Sequence, residues 1–80
     1  MYRIMLADDE GIVIDSLKFI IEKEFGDLCE IQYAKTGRSV IELAESFRPD
    51  IAVMDIQMPG INGIDAMKEI KKSNSSTVFI

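Results

Sequence analysis

Three aspartates have the types and spacing that could do chemistry. Asp8 and Asp9 directly follow a short apolar run ending at Ala7, and Asp55 directly follows a second one, Ile51 to Met54. Carboxylates gathered at one place repel each other unless a cation is bound among them. The chain has no histidine and a single cysteine, so a ligand set built here is oxygen-only and selects a hard ion such as Mg²⁺. Magnesium keeps several waters and commonly shares its sphere with a phosphate, which points to phosphoryl chemistry. A carboxylate also needs no base to become nucleophilic, which suits a site without histidine. The plainer alternative is that acids ahead of a helix cap it or complement its dipole, and Asp8-Asp9-Glu10 precede one.

The elements that must position these acids alternate short apolar runs with stretches of helical period, the pattern of an α/β domain with a doubly wound parallel sheet. Arg3 to Ala7 reads as a first strand buried on both faces. From Gly11 to Phe25, Val13, Leu17, Ile20, Ile21 and Phe25 recur at helical spacing, widened by Ile14, and Gly26-Asp27 closes the helix. Cys29 to Ala34 is the second strand. A second helix opens after Thr36-Gly37, carries the stripe Val40, Leu43, Ala44 and Phe47, and stops at Arg48 before Pro49. Ile51 to Met54 is the most hydrophobic strand and belongs at the centre. Met58-Pro59-Gly60 reads as a loop and Asn62 as the N-cap of a third helix, with Met67 and Ile70 facing inward. After a turn at Ser73 to Ser76, Thr77 to Ile80 begins a fourth strand. Right-handed crossovers to opposite faces give the order 2-1-3, which makes the first and third strands neighbours. Ligands in such sheets bind beyond the carboxyl ends of the strands, so Asp8, Asp9 and Asp55 converge on one crevice.

Composition narrows the function classes. With 80 residues there is room for one small domain, and 48% hydrophobic content is too apolar for a disordered chain. A net charge of −5 disfavours direct contact with phosphate backbones, so any DNA binding falls to another domain. Lacking histidine, the chain has neither the commonest general base nor a phosphohistidine of its own. Cys29 alone cannot form an internal disulfide and suits a reducing cytoplasm. No secretory leader and no membrane span is legible. Lys68, Lys71 and Lys72 read as a solvated helix face, and the methionines mostly as core filler.

The segments Ala7-Asp8-Asp9-Glu10 and Arg48-Pro49-Asp50-Ile51-Ala52-Val53-Met54-Asp55-Ile56-Gln57-Met58-Pro59-Gly60-Ile61-Asn62-Gly63 resemble the receiver domain of two-component response regulators. The resemblance extends over the whole chain, through Ala34, Gly37 and Ala44. It implies a flavodoxin-like fold with strand order 2-1-3-4 and Asp55 as the phosphoacceptor. It further implies Asp9 as a direct Mg²⁺ ligand, Asp8 acting mainly through water, and the backbone carbonyl of Gln57 completing the set. The implied partner is a sensor histidine kinase. An output domain, transcriptional in kind, would contact DNA; the opening acids and the loop are similar to regulators carrying AraC-type helix-turn-helix domains. The family's hydroxyl residue ending strand four and lysine ending strand five have no counterpart up to Ile80.

Residues 1–80 are accordingly expected to be an incomplete receiver domain, ending at the start of the fourth strand. A bare sheet face and an open strand edge would then favour a homodimer or other self-association. Three other readings compete with phosphoryl acceptance. A receiver-like interaction module that works without phosphorylation commonly lacks one of the acids, and none is missing here. An aspartyl-nucleophile phosphatase usually has a second aspartate where Gln57 stands. A flavodoxin-type cofactor binder shares the fold, but Asp8-Asp9-Glu10 would repel a phosphate from its loop.

Overall fold

A computed structural model describes residues 1–80 apart from Ile56 and Pro59, and describes Gln57 and Ile61 by their backbone alone. The chain runs β1 (Tyr2–Ala7), α1 (Gly11–Phe25), a 3₁₀ turn (Gly26–Leu28), β2 (Cys29–Ala34), α2 (Gly37–Phe47) and β3 (Ile51–Met54). It continues through β4 (Gln57–Met58), β5 (Ile61–Asn62), α3 (Gly63–Ser73) and β6 (Val78–Phe79). The main sheet is parallel with the order β2-β1-β3-β6, the doubly wound arrangement expected from the alternating pattern.

Side chains alternate across this sheet as the pleat requires. Met5, Ala7, Ala34 and Ala52 join Val40 and Ala44 of α2, Ile70 of α3 and Met58 in one buried cluster. Ile4 and Leu6 point to the other side and pack with Ile14 of α1, flanked by Leu17, Ile21, Ile31, Ile51 and Val53. Helices α2 and α3 therefore share one face and α1 lies on the other.

Local chemistry sets the boundaries. A reciprocal pair between Thr36 and Ser39 caps α2: Ser39 N–H donates to Thr36 Oγ1 at 3.2 Å, and Thr36 N–H donates to Ser39 Oγ at 3.1 Å. The helix ends one residue earlier than expected, because Arg48 adopts the left-handed C-cap conformation at φ 50° before the buried Pro49. Asn62 is the N-cap of α3, its Oδ1 accepting from Asp65 N–H at 2.9 Å. Thr77 lies outside β6 and is fully buried, donating its hydroxyl to the Pro49 carbonyl at 2.7 Å.

Two expectations need correction. The α1 stripe is only partly covered: Ile14 is buried, Leu17 and Ile21 are half-buried, and Ile20 and Phe25 are more than half exposed. A helical stripe shows which face is apolar, whereas burial depends on neighbours, and α1 has no second helix beside it among the described residues. The stretch after Asp55 is also more ordered than a plain loop. Gln57 and Met58 pair antiparallel with Asn62 and Ile61, and Met58 is buried in the α2–α3 cluster. Gly60 turns the chain at φ 94°, a conformation suited to glycine. Pro59 of that expected loop lies outside the described residues.

Candidate functional site

The acids sit where two central strands run out. Beyond β1, Asp8 N–H donates to the carbonyl of Ala34 at 3.2 Å; beyond β3, Asp55 N–H donates to the carbonyl of Ala7 at 2.8 Å. Both bonds continue the ladder past the strands, so the backbone at Asp8 and Asp55 is fixed by the sheet itself. Asp8, Asp9 and Asp55 each offer a carboxylate oxygen, and these oxygens all lie within 4.8 Å of one another. Asp8 and Asp55 are half-buried and Asp9 is exposed.

Capping accounts for only a small part of this arrangement. The Glu10 side chain makes no cap bond at the start of α1, although Glu10 is the N-cap residue. Asp8 Oδ1 accepts from Glu10 N–H at 2.9 Å, a local turn that occupies one of its two oxygens. No hydrogen bond engages the Asp9 carboxylate among the described residues, so Asp9 does not serve the helix as a cap.

Two neighbours of the site escaped the sequence reading. The Lys35 ammonium, following β2, lies beside Gly11, 3.2 Å from the point a Cβ there would occupy. A positive charge at a helix N-terminus opposes the helix dipole, and the adjacent acids offset that opposition. Nothing along the chain marks this contact, because it depends on β1 and β2 lying side by side. Met58 is the other, in part: its type reads as core filler, but it stands in a stretch read as a loop, and its side chain is anchored in the core three residues after Asp55. Its type among turn residues was the one available signal. The backbone of Gln57, two residues after Asp55, is held opposite Asn62 by the β4–β5 ladder. A cleft of about 330 Å³ also runs from Asp55 between Met67 of α3 and Phe79 of β6.

Comparison with known proteins agrees with this architecture. The family described as the response regulator receiver domain matches residues 4–80, and the chain belongs to that family. It is 36% identical over 80 residues to the uncharacterized transcriptional regulatory protein YesN of Bacillus subtilis (strain 168), covering all of this chain and 22% of that protein. The crystal structure of the response regulator domain of Thermotoga maritima CheB is similar, with a TM-score of 0.86 and 32% identity. The match there spans 99% of this chain and 59% of that one. The response regulator TrrA, solved in complex with the histidine kinase ThkA, is equally similar: TM-score 0.86 and 32% identity, over 99% of this chain and 66% of that chain. The chain thus spans about a fifth of YesN. Its fold is the flavodoxin-like receiver fold, with the expected strand order. Among the described residues, no helix is long and apolar enough to cross a membrane.

Proposed function

We propose that Asp55 accepts a phosphoryl group from the phosphohistidine of a sensor kinase. Residues 1–80 are read as the first part of a receiver domain, with Asp8, Asp9, Asp55 and the Gln57 backbone carbonyl holding Mg²⁺. The observation that carries this reading is the meeting of three carboxylate oxygens within 4.8 Å at the mouth of a parallel sheet. The donor set fits the ion, being all oxygen, while Cys29 opens β2 at the opposite end of the sheet. One Asp8 oxygen is already engaged by Glu10 N–H, which supports a mainly water-mediated part for Asp8. Bound there, Mg²⁺ would offset the negative charge shared by the carboxylates and the phosphoryl oxygens.

The chain's own contribution is a nucleophile on a fixed backbone. A carboxylate oxygen of Asp55 attacks phosphorus, forming the O–P bond of an acyl phosphate as the donor's P–N bond breaks. The electron pair leaves with the imidazole nitrogen, which takes up a proton. The ladder bond from Asp55 N–H to Ala7 holds the attacking residue in place while this happens. On this reading the chain is a phosphoacceptor that assists its own modification and is no enzyme toward other molecules. The pairing of TrrA with the kinase ThkA supports the partner class. Similarity to YesN supports a transcriptional output, exerted in the cytoplasm through a separate DNA-binding domain, for which an AraC-type module is the proposal.

The full-length protein should gain one phosphoryl group when incubated with acetyl phosphate and Mg²⁺, read by intact-mass spectrometry. Asp55→Ala should abolish that gain completely. Hydroxylamine-labile phosphate retained on the variant would sink the assignment. Failure of the unaltered protein to label at all would favour an interaction module that works without phosphorylation.

A further inference from the structure

The acids are held by the sheet, but Gln57 is not part of it. Its backbone belongs to the two-residue strand β4, which among the described residues pairs only with β5, through Gln57–Asn62 and Met58–Ile61. Isolated two-stranded hairpins are marginal in water even when longer than this. Its geometry must therefore come from what holds Met58 and Asn62. Two grips are visible. Met58, 8% exposed, is sunk into the buried cluster that also contains Val40, Ala44 and Ile70, which ties β4 to the core on the α2–α3 face of the sheet. Asn62, directly opposite Gln57, accepts from Asp65 N–H at 2.9 Å and ties β5 to the first turn of α3. We infer that the β4–β5 hairpin is a clamp that sets the backbone of Gln57 relative to Asp55, and that Met58 and Asn62 are its positioning residues.

The inference rests on the proposed Mg²⁺ reading and extends it to residues that touch neither ion nor phosphate. Displacing a backbone ligand by a fraction of an ångström weakens a small ion that demands near-ideal octahedral geometry. Removing a supporting group outside the ligand shell typically costs ten- to a hundredfold in metal affinity, and about tenfold is expected here. Methionine is flexible enough that leucine, similar in volume, should take over its grip.

The test is Mg²⁺ titration of the full-length protein by calorimetry. Met58→Ala should weaken Mg²⁺ about tenfold while Met58→Leu restores it. Asn62→Ala should weaken Mg²⁺ in the same direction, and Asn62→Ser, which keeps a cap, should not. Thr77→Val loses a buried hydrogen bond at the far end of the sheet, so it should destabilise the fold and leave Mg²⁺ affinity unchanged. Asp9→Asn reports on the underlying reading and should lose most of the Mg²⁺ response. If Asp9→Asn binds Mg²⁺ like the parent protein, the metal reading fails and the clamp falls with it. If Asp9→Asn loses Mg²⁺ but Met58→Ala and Asn62→Ala do not, the clamp alone is overturned. Equal weakening by Thr77→Val would overturn it too, since the effect would then be general destabilisation. Should Met58→Ala fail to fold, the Asn62 pair decides.

Discussion

The two faces of the main sheet are built from the same strands and finished very differently. On the α2–α3 face, eight of the described residues form one buried cluster, with Leu43, Met54 and Phe79 packed against it. On the α1 face, among the described residues, only Ile4, Leu6 and Ile14 are buried, while Ile51 and Val53 remain half-exposed. Val78, the register partner of Ile51 and so on the same side, is 57% exposed. Geometry explains the contrast. Strands lie roughly 4.8 Å apart and a helix with its side chains is about 10 Å wide, so one helix covers about two strands. Two helices cover a four-stranded sheet, and one leaves half of it open. The difference teaches that apolar composition is alike on both faces, and coverage alone makes one of them a core.

Substitution at a core position of the covered face should therefore show the largest effect. Ile70 is 1% exposed within the α2–α3 cluster. Ile70→Ala removes buried methyl and methylene groups and leaves a cavity, so a loss of about 2–5 kcal/mol is expected. Urea unfolding of the full-length protein, followed by circular dichroism, would measure it. A loss below about 1 kcal/mol would mean that this face is less tightly packed than its burial implies.

On the open face the same kind of change should be nearly silent. Phe19 of α1 is 67% exposed despite its size. Phe19→Ser should alter stability by no more than about 0.5 kcal/mol, as for surface positions generally. The same unfolding experiment checks it. A cost approaching that of Ile70→Ala would show that α1 is covered in the full-length protein and would erase the contrast between the faces.

Much of this was legible along the chain, and the gaps have physical reasons. The limits of α1, β2 and β3 could be read because Gly26, Pro49 and the apolar runs act locally. Convergence of Asp8, Asp9 and Asp55 was legible too, since it follows from residue type at strand ends plus the handedness of crossovers. The exposure of Ile20 and Phe25 was not, because helical period identifies an apolar stripe without saying what lies opposite. The Lys35–Gly11 contact is a product of strand order, and the β4–β5 ladder has too few residues for any period. Met58 shows the limit most clearly. Turn chemistry at Gly60 pointed to a loop, and only the tertiary structure reveals that this loop is gripped by the core.

A small effect of the opposite sign is expected at the rim where the two faces meet. Helix α1 has little packing to hold it, so it should depend strongly on its ends; any cap formed by Asp9 would then be costly to remove. No hydrogen bond engages the Asp9 carboxylate among the described residues, whereas the Asp8 and Asp55 carboxylates each bring an oxygen within 4.8 Å of it. Charge repulsion should outweigh capping. Without Mg²⁺, Asp9→Asn should raise the melting temperature by a few degrees at most, because exposed charge pairs are worth under about 1 kcal/mol. With Mg²⁺ the sign should reverse: the parent protein gains stability from the bound ion, and the variant gains much less. Thermal melts with and without Mg²⁺ test both halves. Asp9→Asn melting lower than the parent protein, with an unchanged Mg²⁺ response, would make Asp9 a support for α1. The acids would then serve the thinly covered face of the sheet and not the site.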